Sequence, residues 1–280
     1  MKKILLIIPG LLICFLTFSQ NEEVKKEYEY PAFETSILID NQTVVTPYKG
    51  TYEFEIHHRF GKMSNGVTDL YGVYAPSNIR MGFNYGLSKK IMLGIGTTKD
   101  YKLQDFQWKY LLLQQEKSGG MPVSVSYFGN VVIDARGNDA FGPEEDYTFT
   151  HRFSYFTQLI VARRFSYKYS LQVAPSFIYY NAIEEGRENA NFGIHAGGRA
   201  KVIGEMSVIA EYDYLITNQP GNDDIKPNLA LGIEFASPTH AFQVFVANYS
   251  QIISQRNFLY NTNDFSKGEY LLGFNITVRF

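Results

Sequence analysis

Residues Glu269–Phe280 read EYLLGFNITVRF. Tyr270, Leu272, Phe274, Ile276, Val278 and Phe280 are apolar, whereas Glu269, Gly273, Asn275, Thr277 and Arg279 between them are polar or small, with Leu271 the one departure. A period of two held this long is a β-strand with one apolar and one polar face. At about 3.3 Å per residue the stretch reaches roughly 40 Å, longer than most strands of soluble proteins. It crosses a bilayer core with residues to spare when tilted by about 45°. Taken alone, the pattern fits an edge strand of a soluble sandwich equally well, so the rest of the chain decides.

The same alternation recurs upstream. Thr51–Phe60 (TYEFEIHHRF) sets Tyr52, Phe54, Ile56 and Phe60 against Glu53, Glu55, His57 and Arg59. Asn78–Leu87 (NIRMGFNYGL) does the same with Ile79, Met81, Phe83 and Tyr85 against Arg80 and Asn84. Further strands are expected at 91–98, 106–114, 122–133, 152–165, 169–180, 192–202, 207–215, 228–236 and 241–249, with the terminal stretch as the twelfth. Pro175 inside the seventh removes a ladder donor and predicts a bulge. Connections after even-numbered strands are short (SKK, EKSGGM, SYK, IGEM, SPTH), and those after odd-numbered strands are longer and polar. Alternating short and long connections around an even number of strands is the arrangement of an up-and-down barrel with short periplasmic turns and long outer loops. A soluble sandwich has no reason to sort its loops this way. The expected fold is therefore all-β, a single transmembrane antiparallel barrel in which the first and twelfth strands pair to close the sheet.

The remaining features agree. Lys2 and Lys3 precede an apolar run from Ile4 to Phe18, which reads as a secretory signal peptide over residues 1–19. The only cysteine, Cys14, lies within it, so disulfide and thiol chemistry are excluded for the rest. No later apolar run is long enough for a spanning helix. A formal charge of −2 gives no footprint for nucleic acid. Twenty-two Phe and 21 Tyr against one Trp suit strands and interfacial aromatic girdles. Residues 20–49 precede the barrel (50–280) as an arm: a charged segment, then FETSILIDNQTVVTPYKG at Phe33–Gly50. It reads either as a plug docking in the barrel or as a periplasmic tether.

With the apolar faces toward lipid, the alternate faces line the lumen. They carry Glu53, Glu55, His57, Arg59, Arg80, Lys109, Arg164, His195, Arg199, Lys201, Glu211, Asp213, Glu234, Glu269 and Arg279. Two readings stand: a channel whose charged rows hold a polar solute, or internal ion pairs that keep a narrow barrel shut. Arg163 is the charged exception on the outer face, placed where it snorkels to the interface. His57 and His58 point to opposite faces and cannot share a metal. The acidic stretches Gly137–Asp146 and Gly221–Asp224 lack the spacing of a calcium loop. No catalytic residue, metal site or cofactor is assigned. His58, the one outward histidine of the expected strands, has no serine partner in diagnostic context, which leaves a barrel-type phospholipase as a remote alternative.

KGTYEFEIHHRFG (Lys49–Gly61), NIRMGFNYGLSKKIMLGIGTTKD (Asn78–Asp100), YLLLQQ (Tyr110–Gln115) and PVSVS (Pro122–Ser126), preceded by SILIDNQTVVTP (Ser36–Pro47), resemble an uncharacterised family of bacterial outer-membrane β-barrel proteins. The resemblance covers most of the chain and is densest over the first five strands. It implies fold and an outer-membrane location in a Gram-negative bacterium, and no functional residues, because that family has no assigned activity. The terminal strand ending in Phe280 also resembles the assembly signal of outer-membrane barrels, which makes lipid and the barrel-assembly machinery expected partners. The leading expectation is a non-enzymatic small-solute channel or transport component. The alternative is a closed structural barrel partnering another envelope protein, toward which the apolar residues of the last loop, Ser250–Lys267, point.

Overall fold

A computed structural model describes residues 26–221 and 224–280. The expected signal peptide, with Cys14, and the first residues of the arm lie outside the described residues, as do Asn222 and Asp223 of one acidic loop. Twelve antiparallel strands close into one barrel. They are β1 (Tyr52–Lys62), β2 (Asn78–Gly86), β3 (Ile91–Thr98), β4 (Leu103–Leu113), β5 (Ser124–Asp134), β6 (Phe153–Arg164), β7 (Tyr169–Tyr180), β8 (Ala190–Ile203), β9 (Met206–Leu215), β10 (Asn228–Ala236), β11 (His240–Ala247) and β12 (Leu271–Arg279). β1 and β12 pair as expected, with Phe54 opposite Val278 and Ile56 opposite Ile276. Closure leaves no free edge, so every wall strand has two hydrogen-bonded neighbours.

The two faces differ as the sequence period requires. Met81, Phe83, Ile95, Phe106, Leu171, Val173, Phe192, Leu231, Ile233, Phe235, Phe242 and Val244 are exposed on the outside. An apolar surface this continuous has no place in water and matches the lipid-facing band of a membrane barrel. Its charged member among the described strands is Arg163, at a strand end, with the guanidinium 5.2 Å from the Phe165 ring.

Four expectations change. β4 begins at Leu103, so the connection from β3 is the short Lys99–Lys102 and the alternation of loop lengths breaks there. Pro175 makes no bulge: pairing with β6 lapses between Gln158–Ser176 and Val161–Val173, yet the register on both sides is the same. The lost donor interrupts the ladder without inserting a residue. β11 starts at His240, which adds a second outward histidine. Asn248 is not an outward blemish: it lies beyond β11, buried, accepting from the Leu229 N–H and donating to the carbonyls of Pro227 and Asn263.

Candidate functional site: a hairpin clamped in the lumen

The barrel is not hollow. From Ala32 to Val44 the arm is buried almost throughout. It forms a small hairpin in which Ile37 bridges Gln42. The Leu38 N–H donates to Asn41 O at 2.9 Å and the Thr43 N–H to Ser36 O at 2.8 Å. Asp-Asn at the tip is turn chemistry, and the apolar residues flanking it fill the lumen. Phe33, Leu38, Ile39 and Val44 share one apolar cluster with Phe128, Phe156, Ile160, Ile178, Ile209 and Phe245 of the wall. Room for the tip comes partly from Gly197, where a Cβ would stand 2.6 Å from Leu38 Cδ2. The structure places this part of the arm inside the barrel.

The lumen charges hold this hairpin. At the tip, the N–H groups of Ile39, Asp40 and Asn41 all point at the Glu211 carboxylate, at 3.3, 3.0 and 3.4 Å. Three successive amides converging on one anion form a backbone nest, here with the anion supplied by the wall. Asn41 Nδ2 donates to Asp213 at 3.0 Å, whose other contacts are His195 Nδ1 at 2.8 Å and Asn228 Nδ2 at 3.3 Å. Arg59, fully buried, reaches Asp40 with Nη2 at 2.6 Å and Asn275 with Nη1 at 3.0 Å, its Cζ 4.4 Å from the Phe245 ring centroid. Along the limbs, Lys109 Nζ donates to Ser36 O at 2.9 Å and Val45 O at 2.7 Å. Ser36 Oγ bonds to Glu53 and, at 3.2 Å, to Glu55. Nearer the periplasmic rim, Arg199 binds Glu34 at 3.1 Å and Glu234 at 3.2 Å. Arg279 there binds Glu53 at 2.9 Å and Glu34 O at 2.8 Å.

The outer end is closed by the last loop. Helix α1 (Ser254–Tyr260) turns into the mouth. Gln255 donates to Asn130 at 2.6 Å, Asn257 O accepts from Asn228 at 2.9 Å, and Phe258 lies against Gly193, where a Cβ would be 2.5 Å from its ring. Of the apolar residues that pointed to an external partner, Ile252, Ile253, Phe258 and Leu259 are buried inside the barrel, Tyr260 is half-buried and Phe265 is exposed. The buried ones therefore no longer speak for such a partner.

Of the expected lumen residues, Glu53, Glu55, His57, Arg59, Arg80, Lys109, His195, Arg199, Glu211, Asp213 and Glu234 are buried inside. Arg279 is half-buried and joins them through Glu53. Arg164 and Lys201 sit at the periplasmic rim instead, Arg164 bonded to Pro31 O and Lys201 near Glu205. Glu269 is a correction: β12 starts two residues after it, and its carboxylate accepts from the Asp264 N–H within the outer loop. Missed was Asp105, which takes Arg80 bidentately at 3.0 and 2.7 Å. It shares parity with Gln107 and Lys109, so starting β4 earlier would have found it. Asp40, the partner of Arg59, was also missed, since no wall periodicity reaches an arm.

Outside the wall strands, burial pushes the Tyr260 hydroxyl well above its usual range, so it stays a donor, to Glu184 at 2.5 Å. Hydrogen bonding to Asp134 strengthens the hold of Arg136 on its proton. Among the described residues no group of three His, Cys, Asp or Glu side chains is placed to hold a metal ion. His58 Nδ1 has no hydrogen-bond partner, and its ring lies against Phe60 and Phe274.

A family model described as a membrane-bound beta barrel domain (DUF5777) matches residues 33–280. The chain belongs to this family. The match begins at Phe33, so the hairpin falls within the shared region. Among solved structures, the chain is similar to the NanC porin, with 8% identity, a TM-score of 0.51, and coverage of 82% of this chain and 98% of that one. It is also similar to the KdgM porin, with 6% identity, a TM-score of 0.46, and coverage of 82% and 98%. Outer membrane phospholipase A from Escherichia coli gives 11% identity, a TM-score of 0.40, and coverage of 86% and 96%. At such identities the likeness is one of fold. Comparison with curated proteins returns no match. Family and fold place the protein in the outer membrane of a Gram-negative bacterium.

Proposed function

We propose that the protein is a non-enzymatic channel or transport component for a small polar solute, closed by its own N-terminal hairpin and opened when the hairpin withdraws toward the periplasm. The observation that carries this reading is how the hairpin is held. Within the barrel it joins no wall strand by backbone pairing; side chains hold it, chiefly Arg59, Lys109, Glu211 and Arg199. Both limbs return to the periplasmic rim, where Pro31 O meets Arg164 and Thr46 meets the β2–β3 turn. A segment anchored this way leaves without breaking the closed sheet, and its departure bares a polar lumen. The fold shared with the NanC porin accords with passage and carries no information about the solute.

A second reading, a closed structural barrel that partners another envelope protein, is favoured by the apolar cluster joining the hairpin to Phe258 and Leu259 of the outer loop. Planar-bilayer conductance separates the two, comparing the purified protein with a form lacking residues 20–49. Steady conductance in the shortened form, with rare openings in the longer one, is expected. Silence in both, from protein verified as folded, overturns the channel reading in favour of the structural one.

A further inference from the structure

At the outer mouth, away from the hairpin, lies a cavity of about 290 Å³ between the loops. Its walls combine Leu103, Val132, Phe153, Ile183 and Ile253 with Arg136, Arg152, Arg256 and Tyr180. The arginines are not equivalent. Arg136 holds Asp134 through Nε and Nη2 at 2.6–3.0 Å. Arg152 is bonded at all three nitrogens, to Tyr147, to the carbonyls of Asp134 and Arg136, and to Asn138. Arg256 differs. It is 8% exposed and its Cζ lies 3.5 Å from the Tyr101 ring centroid and 4.0 Å from that of Tyr260. Its one hydrogen bond, Nε to Gln251 at 3.1 Å, leaves both Nη groups free among the described residues. No carboxylate of those residues pairs with it: Glu184 accepts from Tyr260 and is largely solvated, and Asp134 belongs to Arg136.

Arg256 opens its Nη groups onto the cavity, where they meet no acceptor among the described residues. Stacked between two rings, its fork is fixed in orientation and presents two parallel donors, the geometry that matches a carboxylate. Tyr180, which borders the same cavity, has a buried hydroxyl with no partner. One free cation against apolar walls suits a monoanion with an apolar body better than a phosphate dianion. The volume is at the small end for ligand sites.

We infer that this cavity is a binding site for a small organic carboxylate, its carboxylate held by Arg256 and its apolar body against Leu103, Val132, Ile183 and Ile253. The site stands whether or not a solute crosses the barrel. It lies on α1, so a ligand there engages the same helix that closes the outer mouth.

Calorimetric titration of phenylacetate into the detergent-solubilised full chain tests this, with empty micelles subtracted and phenylacetamide and inorganic phosphate as comparison probes. Saturable binding of phenylacetate is expected, weakened about tenfold or more by Arg256→Gln, with neither comparison probe binding. Tyr180→Phe keeps the ring beside Tyr260, removes only an unpartnered hydroxyl, and is expected to weaken binding about threefold. No saturable binding by the unaltered protein, equal binding of phenylacetamide, preference for phosphate, or unchanged affinity in Tyr180→Phe and in folded Arg256→Gln each overturns the inference.

Discussion

Replacing Asp40 by Asn tests whether lumen charge holds the hairpin. The substitution keeps the shape of the tip and removes the charge that faces Arg59 Nη2 at 2.6 Å. Arg59 is fully buried and Asp40 is 5% exposed. Removing one member of such a pair costs about 3–5 kcal/mol, because the other charge is left uncompensated. The remaining Arg59 contacts, to His58 O and Asn275 Oδ1, are neutral acceptors and do not replace the carboxylate. At about 1.4 kcal/mol per tenfold change, the equilibrium for hairpin release shifts by roughly 10²–10⁴. Hydrogen–deuterium exchange followed by mass spectrometry reads this directly, since the amides of residues 39–41 donate to Glu211 only while the hairpin is docked. Their exchange is expected to quicken by that factor while the strands of the wall stay protected. The pair Asp40→Asn with Arg59→Gln, which leaves no buried charge unmatched, is expected to exchange more slowly than Asp40→Asn alone. An increase below about tenfold in the single variant, or a double variant faster than either single one, refutes ion-pair clamping.

Other outcomes follow from the same geometry. Lys109→Met strips the donor from Ser36 O and Val45 O. Ser36 O keeps the Thr43 N–H, but Val45 O is left without a donor at a cost of about 1–3 kcal/mol, and hairpin exchange is expected to quicken about tenfold. Gly197→Val puts a Cβ against Leu38 and the His195 ring, so the tip is crowded sterically with Arg59, Lys109 and Glu211 unaltered, and single-channel records are expected to show more frequent openings. Asp105→Asn takes a bidentate partner from Arg80 but leaves Glu55 at 3.3 Å; heat-modifiability on gels is expected to show a lowered unfolding temperature, less than for a substitution that removes both carboxylates. Deleting Phe280, whose N–H and carbonyl pair with Tyr52 at 3.0 and 2.8 Å, is expected to reduce insertion into the outer membrane in membrane fractions.

The barrel was legible in the sequence because its physics is periodic. Lipid outside and polar lumen inside impose a period of two on every strand, and closure imposes an even count. That rule places Glu53, Arg59, Lys109, Glu211 and Glu234 on the inner wall. It failed at strand ends, where Glu269 fell in a loop and Asp105 was lost to a late start for β4.

What the tertiary structure alone decided is what those residues face. The arm carries no period that reports a lumen around it, so its sequence fits a plug and a tether alike. Only the convergence of its tip amides on Glu211 and of Asp40 on Arg59 places it inside the barrel, because such pairings join residues far apart in the chain and depend on barrel diameter and depth. The same holds for the last loop, where Ile252, Ile253, Phe258 and Leu259 pack inward in three dimensions. Local alternation fixes which face of the wall a side chain takes; the partner across the lumen is a property of closure.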